Sequence, residues 1–134
     1  MYAVIYNEAP QTKAFLIRAN MQNGGVEQVE LARDVYPVIA SNPRGTRLVG
    51  AQYVGGGHLT SDMVFENDRS RIFVGETNLS ERRALTSGEY CDRNPIWDGA
   101  NDRILFIRDF RELWSVTVDG GEPRRIFTAG SVEQ

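Results

Sequence analysis

The sequence has one cysteine, Cys91, so no disulfide can form within the chain and no cysteine-based zinc site can be built. Lysine is almost missing: all but Lys13 of the 15 basic residues are arginines. Two readings fit that bias, an anion-binding surface or arginines spread over solvated strand faces among acidic neighbours. Positive charge is not in excess. The formal net charge is −3, which argues against nucleic acid or an anionic membrane surface as partner. No apolar run approaches the roughly 20 residues of a membrane helix, so membrane insertion is not expected. Residues 1–7 have no basic group ahead of their short apolar run, so they are not expected to be a signal peptide, and the chain as written reads as cytoplasmic. A Gly-x-Ser-x-Gly nucleophile elbow, a phosphate-binding glycine loop, a dinucleotide fingerprint and an EF-hand loop are all missing. No cofactor, metal or catalytic residue is therefore expected. What is there, 134 residues at 41% hydrophobic and 25% charged, suits one folded domain with a core of its own.

The chain repeats itself. Ile72-Phe-Val-Gly-Glu-Thr-Asn-Leu-Ser-Glu-Arg-Arg-Ala-Leu-Thr86 aligns with Trp114-Ser-Val-Thr-Val-Asp-Gly-Gly-Glu-Pro-Arg-Arg-Ile-Phe-Thr128 at an offset of 42 residues. A third copy runs from Phe15 to Leu31, with Gly24-Gly25 on Gly120-Gly121. A second shared unit reads Ser41-Asn-Pro-Arg-Gly-Thr-Arg-Leu-Val-Gly50 and then Trp97-Asp-Gly-Ala-Asn-Asp-Arg-Ile-Leu-Phe106, with Arg47-Leu48 on Arg103-Ile104. The apolar runs are rich in β-branched and aromatic residues and read as strands. Asn42-Pro-Arg-Gly45, Asn23-Gly-Gly25 and Asp119-Gly-Gly121 read as tight turns, because Pro presets φ and Gly or Asn tolerates positive φ. One repeat is thus four strands in an antiparallel meander, and the chain predicts eleven strands: three, then four, then four. Residues 26–36 compete as a helix, since Val26, Val29, Ala32 and Val35 follow a three-residue spacing. Their counterpart carries Pro123 and Ile126, so a strand is predicted there instead.

Pro95-Ile-Trp97, Arg103-Ile-Leu-Phe106, Val118-Asp-Gly-Gly121 and Arg124-Arg-Ile-Phe-Thr128 together resemble the repeat of TolB-like β-propellers, which are WD40-like in build. The resemblance covers nearly the whole chain. It departs at Asp98-Gly-Ala-Asn101, where the family has Ser-Pro-Asp-Gly, and at Ser41, where it has tryptophan. It implies an all-β fold of about three four-stranded antiparallel blades of a β-propeller in an incomplete ring: a partial blade at 1–31, a blade at 36–86 and another at 94–128. A ring closes with about four to eight blades. Either the chain is part of a longer protein, periplasmic if TolB-like, or copies associate as a homo-oligomer, for instance two chains in a six-bladed ring. The function expected is a binding or scaffolding module for a protein or peptide partner, or for further blades of the same protein. The alternative is the propeller part of an enzyme, a prolyl-oligopeptidase-like serine peptidase or a polysaccharide lyase to whose site His58 and Arg93 contribute.

Meander geometry puts the second-to-third loops and the crossovers between units at one end. In this sequence those loops are long and unequal, which is where binding residues concentrate on a rigid scaffold. The insertion 55–70 brings His58, Asp62 and Glu66 as candidate ligand or metal contacts, or else forms a hairpin extension with its polar residues in water. Tyr90, Asp92 and Arg93 in the crossover 87–93 are candidates to line a channel mouth, with Tyr36, Asp34 and Arg33 at the comparable place one unit earlier. The plainer reading packs the tyrosines over the sheet edge and pairs the charges at the surface. Cys91 could act as a nucleophile only with a positioned base, and nothing places His58 beside it. Ser41, Trp97 and Trp114 read as packing residues.

Overall fold

Two apolar faces per strand, rather than one, dominate the middle of the chain. Leu48, Val49 and Ala51 are buried in succession, as are Ile72, Phe73 and Val74, so both faces of their sheet are covered. The computed structural model describes residues 2–7, 13–20, 22–32, 34–36, 38–59, 65–76, 79, 81–99 and 102–130. Among them there are eleven strands and no α-helix, and no helix long and apolar enough to cross a membrane.

The strands form three consecutive meanders. The first is β1 (Tyr2–Asn7), β2 (Lys13–Ala19) and β3 (Val26–Glu30). The second is β4 (Ala40–Ser41), β5 (Leu48–Leu59), β6 (Phe65–Gly75) and β7 (Arg82–Ala84). The third is β8 (Asp92–Trp97), β9 (Arg103–Arg108), β10 (Glu112–Thr117) and β11 (Arg124–Thr128). All pairings between these strands are antiparallel and join sequence neighbours, which short turns permit, and an isolated parallel bridge links Ser70 to Cys91. The turns follow the predicted chemistry. Asn42 accepts the Thr46 and Arg47 amides through Oδ1 at 2.8 and 3.0 Å, and Gly45 supplies a φ of 70°. Residues 26–30 pair with β2, so the strand outcompetes the helical spacing. The insertion continues the ladder as far as Leu59 opposite Phe65, with a bulge between Tyr53 and Gly55. Its backbone is therefore a hairpin extension.

Two apolar seams join the sheets. Leu16 of the first sheet packs with Leu48 and Phe73 of the second, under Leu31 and Val35. On its other face the second sheet presents Val49, Ala51, Ile72 and Val74 to Ile104, Phe106 and Val116 of the third. The seam is stitched by polar contacts that suit its ends: Trp97 Nε1 donates to the Ala40 carbonyl at 3.1 Å, and Arg83 donates to the Val118 carbonyl.

The repeats superpose by register with one correction. Leu48 stands on Ile104 as predicted, but the cross-strand pairs Gly50–Phe73 and Phe106–Trp114 are equivalent, which puts Trp114 on Phe73 rather than on Ile72. The cause is a bulge in the β10–β11 pairing, where Trp114 faces Arg125 and Leu113 faces Phe127. Ile126 is the extra residue, and past it the 42-residue offset holds again at Thr86 and Thr128.

Gly50 shows how closely the seam is filled. A Cβ there would lie 2.8 Å from Ile39 Cδ1 and 2.8 Å from Phe73 Cζ. In the third sheet the equivalent position holds Phe106, so glycine here makes room for Phe73. Gly50→Ala is expected to lower stability by about 1–3 kcal/mol through overpacking, read as a lower urea midpoint. An unchanged midpoint would mean that Ile39 and Phe73 do not close over this position.

Candidate functional site

The end of the arc that gathers the crossovers and the β9–β10 turn holds a connected set of arginines and aromatic rings. Its buried part is Arg108. Nε donates to Asp92 Oδ1 at 2.8 Å and Nη2 to Oδ2 at 3.1 Å, with side-chain exposures of 7% and 0%. The guanidinium carbon lies 4.1 Å from the ring centroids of both Tyr90 and Trp114. Such a fork-on-carboxylate pair is charge-assisted and directional, and the rings keep water from it. Ser70 fixes the segment from the neighbouring sheet, donating through Oγ to the Asp92 carbonyl at 2.7 Å and through its amide to the Tyr90 carbonyl at 2.9 Å.

A second arginine lies nearer the surface. Arg93 Nη2 donates to Tyr36 Oη at 3.1 Å, and its guanidinium carbon stands 4.4 Å from the Tyr36 ring and 5.2 Å from that of Phe110. Beside it, Gln52 Nε2 donates to Asp34 Oδ2 at 2.6 Å while Gln52 Oε1 accepts from Arg71 Nε at 3.1 Å. Three chain segments that are distant in sequence therefore meet at one end: the crossover before β4, the start of β8, and the turn after β9.

That turn is strained. Asp109 and Phe110 hold φ values of 53° and 65°, the left-handed region that glycine and asparagine occupy at least cost. Asp109 is anchored, its Oδ1 accepting the Cys91 amide at 3.1 Å and its own amide donating to the Cys91 carbonyl at 2.8 Å. Phe110 follows in the same two-residue turn, which the Arg111 amide closes by donating to the Arg108 carbonyl at 3.3 Å, and it is 61% exposed. Strain of this kind persists where surrounding structure imposes it, and it collects at binding sites. Tyr90, Tyr53 and Val54 are also exposed.

The predicted site residues meet four different outcomes. Tyr36, Arg93 and Tyr90 are brought to this end, and the first two are in direct contact. Asp92 differs from the expectation of a channel-lining carboxylate. β8 begins at Asp92, and its pairing with Arg108 across β8–β9 turns the carboxylate inward, where both oxygens are used. His58 is placed by backbone pairing with Glu66 in the hairpin extension, away from this cluster in sequence and ladder position. Asp62 and Arg33 lie outside the described residues. Among the described residues, no three His, Cys, Asp or Glu side chains come together as a metal site would need. Sequence reasoning missed Phe110 and Arg108. The missing glycine or asparagine at the second central position of the β9–β10 turn was the available sign for Phe110.

Breaking the inner pair tests its role. Asp92→Ala leaves a buried guanidinium uncompensated and is expected to cost about 3–5 kcal/mol. The double variant Asp92→Leu with Arg108→Met should cost much less than the two single changes combined. Urea unfolding of Asp92→Ala, of the double variant and of its two single variants measures this, and additive losses would show that the two side chains do not act as a pair.

No family model matches the sequence, and no curated protein matches it. Solved structures do. The chain is similar to an oligogalacturonate lyase in complex with manganese, at a TM-score of 0.67 and 16% identity over 87% of this chain and 37% of that one. It is also similar to a chain in a nidogen/laminin complex, at 0.59 and 15% over 89% of this chain and 44% of that one. The chain thus spans 37% and 44% of the length of the chains it matches. At such identities the likeness speaks for the fold: the three sheets are blades of a β-propeller, arranged in an open rather than a closed ring.

Proposed function

We propose that this chain is a propeller segment that recognises a protein or peptide partner through its long-loop end, and that its repeat is of the TolB-like kind. The observation that carries the reading is Phe110, exposed on a strained turn beside the Arg93–Tyr36 stack. Aromatic residues and arginine are the residue types that dominate binding energy at protein interfaces, most of all when neighbours hold them in place. Arg93 is held by Tyr36, Tyr90 covers Arg108, and the scaffold beneath is a packed pair of sheets. A partner would seat an apolar side chain against Phe110 and Tyr90 and a polar group near Arg93. The protein complex among the similar structures is consistent with this use of the fold.

A second reading, that the arc is the propeller part of an enzyme, draws on the likeness to the oligogalacturonate lyase. It would have to act through residues other than a described metal cluster, or together with a further part of the protein. Oligogalacturonides incubated with the chain and manganese test whether the chain acts alone as an enzyme: no unsaturated product is expected, and its formation would favour the enzyme.

The binding reading is tested by comparing proteins captured by the wild type, by Phe110→Gly and by Arg44→Ala, the last at the opposite end. A partner held by wild type and Arg44→Ala should be lost from Phe110→Gly, even though glycine relieves the left-handed strain and stabilises the fold by up to about 1 kcal/mol. Equal capture by all three would refute a role for this end.

A further inference from the structure

The seam between the second and third sheets recurs, by register, on the outer face of the third. The second sheet meets the third with Ala40, Val49, Ala51, Ile72, Val74 and Leu85. Cross-strand pairing supplies the equivalents. Ala40–Val49 corresponds to Ile96–Leu105, and Ala51–Ile72 corresponds to Ile107–Leu113. Val49–Val74 corresponds to Leu105–Ser115, and Leu85, whose amide donates to the Ile72 carbonyl, corresponds to Phe127 opposite Leu113. These residues alternate with Ile104 and Phe106 and therefore lie on the face turned away from the second sheet. Ile96 and Phe127 are each 54% exposed, and Leu105, Ile107 and Leu113 are half-buried. Among the described residues no sheet covers them.

At the other end of the arc, Leu16 faces the second sheet, so Phe15 and Ile17 lie on the opposite face of the first. They too are half-buried. Each molecule therefore carries two apolar sheet faces of the kind that stack inside it, and each lacks a neighbour among the described residues.

We propose that the outer face of the third sheet docks the first sheet of a second copy of this chain. The intramolecular seam shows what such a face accepts, an aliphatic and aromatic strand face such as Ile104, Phe106 and Val116. Phe15 and Ile17 offer that chemistry on the same molecule. The contact is head-to-tail, and two copies related by a twofold axis satisfy both ends at once, so the assembly closes instead of growing into a filament. Two copies of three sheets give about six blades, within the range in which propellers close. The inference is independent of the loop-end reading.

Sedimentation velocity on residues 1–134 tests it. The wild type is expected at twice the 15.1 kDa monomer mass. Ile107→Glu and Phe15→Glu, one on each face, should each weaken dimerisation by at least about tenfold. Mixing the two restores dimers, because one pair of undamaged faces remains. Circular dichroism and urea midpoints identify any variant that fails to fold, and Leu105→Lys replaces Ile107→Glu in that event. Phe110→Gly leaves the dimer intact if the two surfaces are separate. A monomeric wild type, or a dimer unaffected by both substitutions, overturns the proposal.

Discussion

Everything in this molecule depends on sheets that are apolar on both faces. An ordinary antiparallel sheet in a small domain hides one face and wets the other. Here the second sheet uses Leu48 and Phe73 on one side and Val49, Ala51, Ile72 and Val74 on the other, so it can exist only between two neighbours. That demand sets the arc, and the arc sets the site. Stacked meanders bring the crossovers and the β9–β10 turn to a common end, where Arg93, Tyr36 and Phe110 meet although they come from three separate segments. A scaffold stiff enough to hold a phenylalanine in a left-handed turn is a consequence of the same seams.

The two arginines divide the work. Arg108 is fully committed, its fork on Asp92 and its faces covered by Tyr90 and Trp114, so it ties the crossover to the third sheet. Arg93 sits further out and orients Tyr36. The arginine bias of the composition thus has a structural use at these two places. Planar, weakly hydrated guanidinium stacks on rings and grips carboxylates in ways a lysine ammonium cannot.

Much of the fold was legible because turns and strands speak locally. Asn-Gly-Gly, Asn-Pro-Arg-Gly and Asp-Gly-Gly mark the ends of short β-branched runs, and their repetition counts the strands. The helix-like spacing at 26–36 was resolved by comparing copies, which a single window could not do. Less of the site could be read. Asp92 looked like a loop carboxylate because nothing local reveals that β8 begins there or that Arg108 will stand opposite it. Phe110 escaped notice because its strain comes from pairing on either side of the turn. The one-residue slip at Trp114 had a similar origin: Ile126 is spent on a bulge, and bulges leave no clear mark in a strand's composition.

The stacking of repeated sheets is the claim from which the rest follows, and methyl-to-methyl nuclear Overhauser contacts measure it most directly. The structure predicts contacts from Val49, Ile72 and Val74 to Ile104 and Val116 across one seam, and from Leu16 to Leu48 across the other. Contacts confined within each sheet, with none between sheets, would contradict it.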